Sequence, residues 1–316
     1  MAEAAVSLGR GSSIPAIDLA GATGDAAQCA AVAAAVREAF EQFGFLYLRN
    51  HGVPRELVDE LFAQARAFFD QPAEVKARAR GPDARGYSGP GYSALDPTRP
   101  ADLKEAFRAG YDSEPPRTCW PEALPAFRET VLAFHDAASA ACRRVMHALA
   151  LSFGLPETFF DAAHQPHSGS TQLLHYPPLP GELLPGQLRS GAHTDWGSIT
   201  LLFHAGDAGG LEIQRPDGTW LPAPSLPGAA IVNAADLLRR WTNDQLRSVL
   251  HRVTPPAGAA AARSRYSAVL FYQPRFDAAI TCLEPCQGPG RPARYPAITA
   301  GEYLQARLLE TRREDG

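Results

Sequence analysis

The sequence contains no run of about 18 consecutive apolar residues, the length a helix needs to span a bilayer. Its opening segment, MAEAAVSLGRGSSIPAIDLAG, has no apolar stretch of signal-peptide length. Basic runs and interleaved basic and aromatic residues are missing too, and 30 Lys and Arg against 34 Asp and Glu leave a formal net charge of -4. That balance argues against nucleic acid or an anionic membrane surface as partner. Cysteine is sparse: Cys29, Cys119, Cys142, Cys282 and Cys286 form an odd, widely spaced set with no disulfide framework. Cys282 and Cys286 lie four apart, but no second pair completes a zinc site. These absences lead to the expectation of a cytoplasmic chain, a monomer or weak homodimer, whose partner is a small molecule.

What is present is ordinary globular composition, 45% hydrophobic and 20% charged over 316 residues, enough for a sizeable core. The first half has helical periodicity over Ala26 to Phe43, Glu56 to Phe69 and about Pro125 to Phe153, with a β-rich run from Phe45 to Leu48. Residues 80–100, rich in Gly, Pro, Asp and Ser, read as loop. The second half changes to short β-like runs: Gln172–Tyr176, Ile199–His204, Leu211–Gln214, Trp220–Ala223, Ala229–Asn233, Val249–Thr254, Tyr266–Tyr272 and Ile280–Leu283. Such runs with Gly and Pro punctuation fit a double-sheet architecture such as a jelly roll. Thr299 to Arg312 reads as a closing helix, with Thr299 as N-cap and Glu302 at the capping-box position. The expected fold is mainly β with flanking helices: a helical or mixed region over 1–165 and a jelly-roll core over 166–316, in one structural unit.

The chemistry concentrates in Gly191-Ala192-His193-Thr194-Asp195-Trp196-Gly197. In an extended segment residues i and i+2 share a face, which sets the His193 imidazole beside the Asp195 carboxylate. Ser248-Val249-Leu250-His251-Arg252-Val253 supplies a third ligand from another strand. Two histidines and one carboxylate form the facial triad of non-haem iron(II) oxygenases, leaving open positions for a co-substrate and dioxygen. The absence of a nearby thiolate weakens structural zinc, and magnesium and calcium prefer oxygen ligands; zinc on the same three donors stays open. His51, His135, His147, His164, His167 and His204 read as structural or exposed. Arg265-Tyr266-Ser267 opens a later β-like run and places a guanidinium and a hydroxyl on one face, a clamp for a carboxylate.

With these residues in order, the chain resembles the isopenicillin N synthase-like family of iron(II)- and 2-oxoglutarate-dependent dioxygenases. The resemblance is carried by GAHTDWGSITLLF (191–203), GGLEIQ (209–214), NAADLLRRWTNDQLRSVLHRV (233–253) and RYSAVLFYQP (265–274). HYPP (175–178), YPAITAGEYL (295–304), IPAIDL (14–19), FGFLYLRNHGVP (43–54) and DLKEAF (102–107) extend it over nearly the whole chain.

It implies a double-stranded β-helix, a distorted jelly roll, with a helical N-terminal region. It implies His193, Asp195 and His251 as iron(II) ligands, and Arg265, Ser267 and Tyr176 as the contacts of 2-oxoglutarate. Dioxygen is the oxidant, ascorbate a candidate reductant, and succinate and carbon dioxide are released as a substrate is hydroxylated, desaturated or cyclised. A 2-oxoglutarate-independent oxidase, as in isopenicillin N synthase and aminocyclopropane-carboxylate oxidase, is the alternative, followed by a non-catalytic 2-oxoglutarate sensor. The chain departs from the family at Gln172, where an arginine is frequent, and at Ala235, where glycine is usual. Candidates to line the substrate cavity are His175, Trp196, Phe107 and Phe271, with Tyr87 and Tyr92 in a candidate lid loop. Lys104 and Arg108 read first as a solvated helix face, with pairing to an acidic substrate as the alternative.

Overall fold

The computed structural model describes residues 13–82, 85–92, 99–111, 118–164, 169–179, 181–206 and 209–311. His167, and Arg312 at the end of the expected closing helix, lie outside them. After a short strand, β1 (Ala16–Asp18), the chain enters α1 (Ala26–Gln42) through a capping box: Asp25 Oδ1 accepts from the Gln28 backbone N–H, and Gln28 Oε1 accepts from that of Asp25. Val32, Ala33, Val36, Ala39 and Phe40 form its buried stripe. Gly44 then turns the chain at φ +67°, where a Cβ would stand 2.5 Å from the Arg247 carbonyl oxygen, so only glycine fits.

Next come β2 (Phe45–Arg49), α2 (Arg55–Phe69), α3 (Ala73–Ala77), β3 (Gly86–Ser88), β4 (Glu105–Ala109) and the long α4 (Pro125–Ser152). The second half contributes β5 (Ser170–Tyr176), β6 (Ser190–His193), β7 (Ile199–Ala205), β8 (Leu211–Gln214), β9 (Trp220–Pro222) and β10 (Ala230–Ala234). α5 (Asp236–Trp241), β11 (His251–Val253), β12 (Arg265–Tyr272), β13 (Ala279–Ile280), β14 (Ile298–Thr299) and α6 (Ala300–Thr311) complete it.

Eight strands make a large sheet in the order β1-β2-β10-β7-β12-β5-β4-β3, and four make a smaller one, β6-β11-β8-β9. Strand alternation divides the large sheet into two faces. Leu46 and Leu48, Ile199 and Leu201, Leu173, and Ala268 and Leu270 share a core with buried residues of α1, α2 and α4, so the helices cover the outer face. Phe45, Tyr47, Tyr176 and Ile231 pack with Leu211, Ile213, Val249 and Val253, which joins the inner face to the small sheet. This is the double-stranded β-helix with flanking helices.

Each of the eight β-like runs of the second half overlaps a strand, Ile280–Leu283 only at Ile280, but the first half is less helical than its periodicity implies. β1, β2, β3 and β4 are strands of the same sheet as β5, β7, β10 and β12, and β3 lies inside the stretch expected to be loop. Lys104 and Arg108 are not on a helix: Lys104 precedes β4 and Arg108 lies within it. Neighbouring strands on both sides supply backbone hydrogen bonds that override the weak β-propensity of Glu-Ala-Phe-Arg-Ala. At the C-terminus, Thr299 and Glu302 do form the reciprocal cap of α6.

Glu105 locks β4 to its surroundings. Its carboxylate pairs with Lys76 Nζ of α3 at 2.8 Å and accepts from the Tyr87 hydroxyl of β3 at 2.5 Å. Its Oε1 lies 2.7 Å from His175 Nδ1 of β5. Burial opposes the charge, but bonds from His175, Lys76 and Tyr87 outweigh it and hold the carboxyl below its usual range. Glu105→Gln strands the Lys76 ammonium and is expected to cost about 3–5 kcal/mol in urea unfolding at neutral pH. A carboxyl with a depressed folded-state pKa stabilises above the ordinary carboxylate range and loses that effect as pH falls through the folded-state value. The gap between wild type and variant should therefore narrow in acid.

Candidate metal centre

β6 ends at His193 and β11 begins at His251, and the two are cross-strand partners with ring centroids 4.3 Å apart. Asp195 lies just past the end of β6, in a turn rather than in the extended strand that the i, i+2 spacing assumed. The start of α5 holds that turn: backbone N–H groups of Asp236 and Leu237 donate to the carbonyls of Asp195 and Gly197, at 2.9 and 3.0 Å. Phe45 packs edge-on to His251 with centroids 5.4 Å apart.

The polar contacts fix which atoms face inward. His193 Nδ1 lies 2.8 Å from the Gly191 carbonyl and His251 Nδ1 lies 3.3 Å from that of Val249. Carbonyls only accept, so each Nδ1 carries the proton and each Nε2 presents a lone pair. Asp195 Oδ2 accepts from the Thr200 hydroxyl at 2.6 Å and from Asn233 Nδ2 at 2.8 Å. Its Oδ1 lies 3.8 Å from both Nε2 atoms, beyond hydrogen-bonding distance. Burial and the adjacent His251 push the His193 pKa down to about 3, which keeps that ring neutral. Burial opposes ionisation of Asp195, but His251, His193, Thr200 and Asn233 together hold its carboxyl below the usual range. Three electron-pair donors thus converge within 4.8 Å with no proton donor among them. Two imidazole nitrogens and one carboxylate oxygen suit iron(II).

A second group lies on the same inner face. Arg265 and Ser267 share one face of β12, and Tyr176, the cross-strand partner of Arg265, has its ring 4.7 Å from the guanidinium. His204, from β7, sets Nδ1 2.9 Å from Arg265 Nη2 and 3.1 Å from the Ser267 hydroxyl. Arginine only donates, so this Nδ1 accepts; burial and then Arg265 hold His204 well below its usual pKa, in the neutral form. Arg265 is 3% exposed, yet its Nη1 has no hydrogen-bond partner among the described residues. A buried guanidinium with an unused donor fits an incoming carboxylate.

The cavity-lining expectations divide. Phe271 lies on the inner face as the cross-strand partner of Thr200, the residue that binds Asp195. Trp196 is half-buried and its ring lies 5.8 Å from the Arg307 guanidinium of α6. His175 and Phe107 do not line the cavity. His175 stacks on Tyr266 at 4.6 Å and bonds Glu105 and Ser264, and Phe107 packs on Phe68 and Phe127. Both have the strand parity that points toward the helices. Sequence reasoning missed Thr200, Asn233 and His204; period-2 counting along β7 puts Thr200 and His204 on one face and could have found them.

Residues 14–126 match the family described as non-haem dioxygenase in morphine synthesis N-terminal, and residues 168–274 match the 2OG-Fe(II) oxygenase superfamily. Proline hydroxylase buaE of Petromyces alliaceus is 35% identical over 294 residues, covering 86% of this chain and 91% of that protein. The 2-oxoglutarate-dependent dioxygenase htyE of Aspergillus rugulosus is 31% identical over 301 residues, covering 87% and 91%. Among solved structures, a full-length Neurospora crassa protein in complex with alpha-KG aligns with a TM-score of 0.88 at 33% identity, over 96% of this chain and 98% of that one. The rice dioxygenase for auxin oxidation aligns with a TM-score of 0.75 at 29% identity, over 95% and 97%. The chain belongs to the 2OG-Fe(II) oxygenase superfamily and is a dioxygenase that uses iron(II), 2-oxoglutarate and dioxygen to oxidise a small molecule.

Proposed function

We propose that His193, Asp195 and His251 ligate the iron(II), and that Arg265, Ser267 and Tyr176 receive the distal carboxylate of 2-oxoglutarate. The observation that carries the first assignment is the convergence of three acceptors, two histidine Nε2 and Asp195 Oδ1, without a donor between them. The orphaned Nη1 of Arg265 carries the second. When bound, iron(II) and 2-oxoglutarate supply oxygen activation coupled to decarboxylation, with release of succinate and carbon dioxide.

The protein's own groups orient and insulate. The Gly191 and Val249 carbonyls fix the tautomer and ring plane of the two histidines. Thr200 and Asn233 occupy Asp195 Oδ2 and leave Oδ1 as the ligand atom. Neutral His204 aligns Arg265 by accepting from Nη2, which leaves Nη1 and the Ser267 hydroxyl for the co-substrate. Phe271, the cross-strand partner of Thr200 on the inner face, takes part in holding the substrate. Small molecules are named with the solved relatives, including thymine in a second complex of the Neurospora crassa protein. This chain's specificity resides in the residues around Phe271.

Thr200→Val and Asn233→Leu are each expected to weaken iron(II) binding about 10–100-fold, while leaving the fold intact by circular dichroism. Metal content after graded chelator dialysis checks this; unchanged affinity in both would remove Asp195 from the ligand set. Arg265→Gln is expected to weaken 2-oxoglutarate binding by about 2–5 kcal/mol, and Arg265→Lys to recover only part because it lacks the planar fork. Anaerobic titration calorimetry of the iron-loaded protein measures both, and iron content should not change.

A further inference from the structure

The inner face carries a cation that neither the metal ligands nor the Arg265 anchor uses. Arg108 of β4 is the cross-strand partner of Gln172 on β5, and its guanidinium lies 5.9 Å from the centroid of the Phe271 ring. Phe271 pairs across strands with Thr200, whose hydroxyl bonds Asp195. The cluster therefore lies on the inner face, one strand pairing away from the residue that binds Asp195.

Its charge is uncompensated. Arg108 donates from Nε to the Ser170 hydroxyl at 3.2 Å, and no acidic side chain pairs with it among the described residues. A second cation, Arg85, bears on it electrostatically, against a smaller opposing effect of Tyr92. Burial and then Arg85 draw the Arg108 pKa down to about 10, which leaves it charged at neutral pH. Lys104, on the same face, differs: Asp102 at 3.0 Å and the Ser190 hydroxyl at 2.9 Å satisfy it. A half-buried guanidinium is unfavourable unless an anion joins it. Around it are hydrogen-bonding groups with spare capacity, since Gln172 Nε2 donates to the Tyr92 hydroxyl at 3.3 Å and its amide oxygen has no partner among the described residues.

We propose that Arg108, Gln172, Tyr92 and Phe271 form the substrate subsite, and that the substrate is a carboxylic acid. The Arg108 guanidinium takes the carboxylate, Gln172 and Tyr92 flank it, and the adjoining apolar part rests on Phe271 beside the metal. This deepens, and rests on, the assignment of His193, Asp195 and His251 as iron ligands.

The test uses the full chain loaded anaerobically with iron(II) and saturated with 2-oxoglutarate, so that Arg265 is already occupied. Phenylacetate, 3-phenylpropionate and their primary amides are titrated calorimetrically. The acids should bind at least about tenfold tighter than the amides, as expected for a desolvated charge pair. Arg108→Gln should abolish that preference and Arg108→Lys should retain most of it, with melting temperatures confirming folded variants. Acids that fail to bind, acids that bind no tighter than amides, or a preference that survives Arg108→Gln would overturn the subsite. The visible charge-transfer band of iron-bound 2-oxoglutarate, recorded in the same samples, separates the two levels. It should be equal in wild type and Arg108→Gln, whereas its absence from iron-loaded wild type would overturn the metal assignment and the subsite with it.

Discussion

Two imidazole lone pairs and a carboxylate oxygen face one another across 3.8 Å in a buried pocket, and none of the three brings a proton to share. Electron pairs so placed repel one another. The surrounding structure holds them there. Backbone carbonyls retain the proton on each Nδ1, Thr200 and Asn233 restrain the carboxylate from the opposite side, and α5 anchors the turn that carries Asp195. Such preorganisation is costly in an empty pocket and favourable around a divalent cation. The same logic recurs at Arg265, where a cation is buried without an anion among the described residues and neutral His204 aligns it.

The architecture makes both arrangements possible by giving the large sheet two different environments. Its outer face is closed by α1, α2 and α4 into a dry core. Its inner face meets the small sheet and keeps Leu202, His204, Gln172, Leu174, Arg108 and Phe271 only partly buried. Each strand thereby carries packing residues on one side of the pleat and chemical residues on the other. β12 shows this within one segment: Tyr266, Ala268 and Leu270 support the helices while Arg265, Ser267 and Phe271 lie on the inner face. The inner face also sorts charge, with the Arg265 anchor toward one end of β12 and the Arg108 cluster near the other.

The triad was legible because its residue types and spacing are rare together, and the RxS pair on a β-like run added a reason for open coordination positions. The strands of the second half were legible through turn punctuation. β4 was not, because Glu105 and Arg108 have low β-propensity and the strand exists through its neighbours' hydrogen bonds. The assignment of His175 and Phe107 to the cavity failed for a related reason. β5 and β4 are covered on both faces, so alternation of polarity does not reveal which face is the cavity, and one step of parity separates His175 from Tyr176. His204 escaped notice because a histidine's role depends on what lies across the sheet, here Arg265 and Ser267, far away in the chain.

The central claim is that the three acceptors and the Arg265 anchor form one site that binds iron(II) and 2-oxoglutarate together. Anaerobic spectroscopy of the purified chain with iron(II) and 2-oxoglutarate tests it most directly. The account predicts a weak visible charge-transfer band in wild type that is lost in Asp195→Ala. Iron bound stoichiometrically with no such band, or a band that persists in Asp195→Ala, would contradict it.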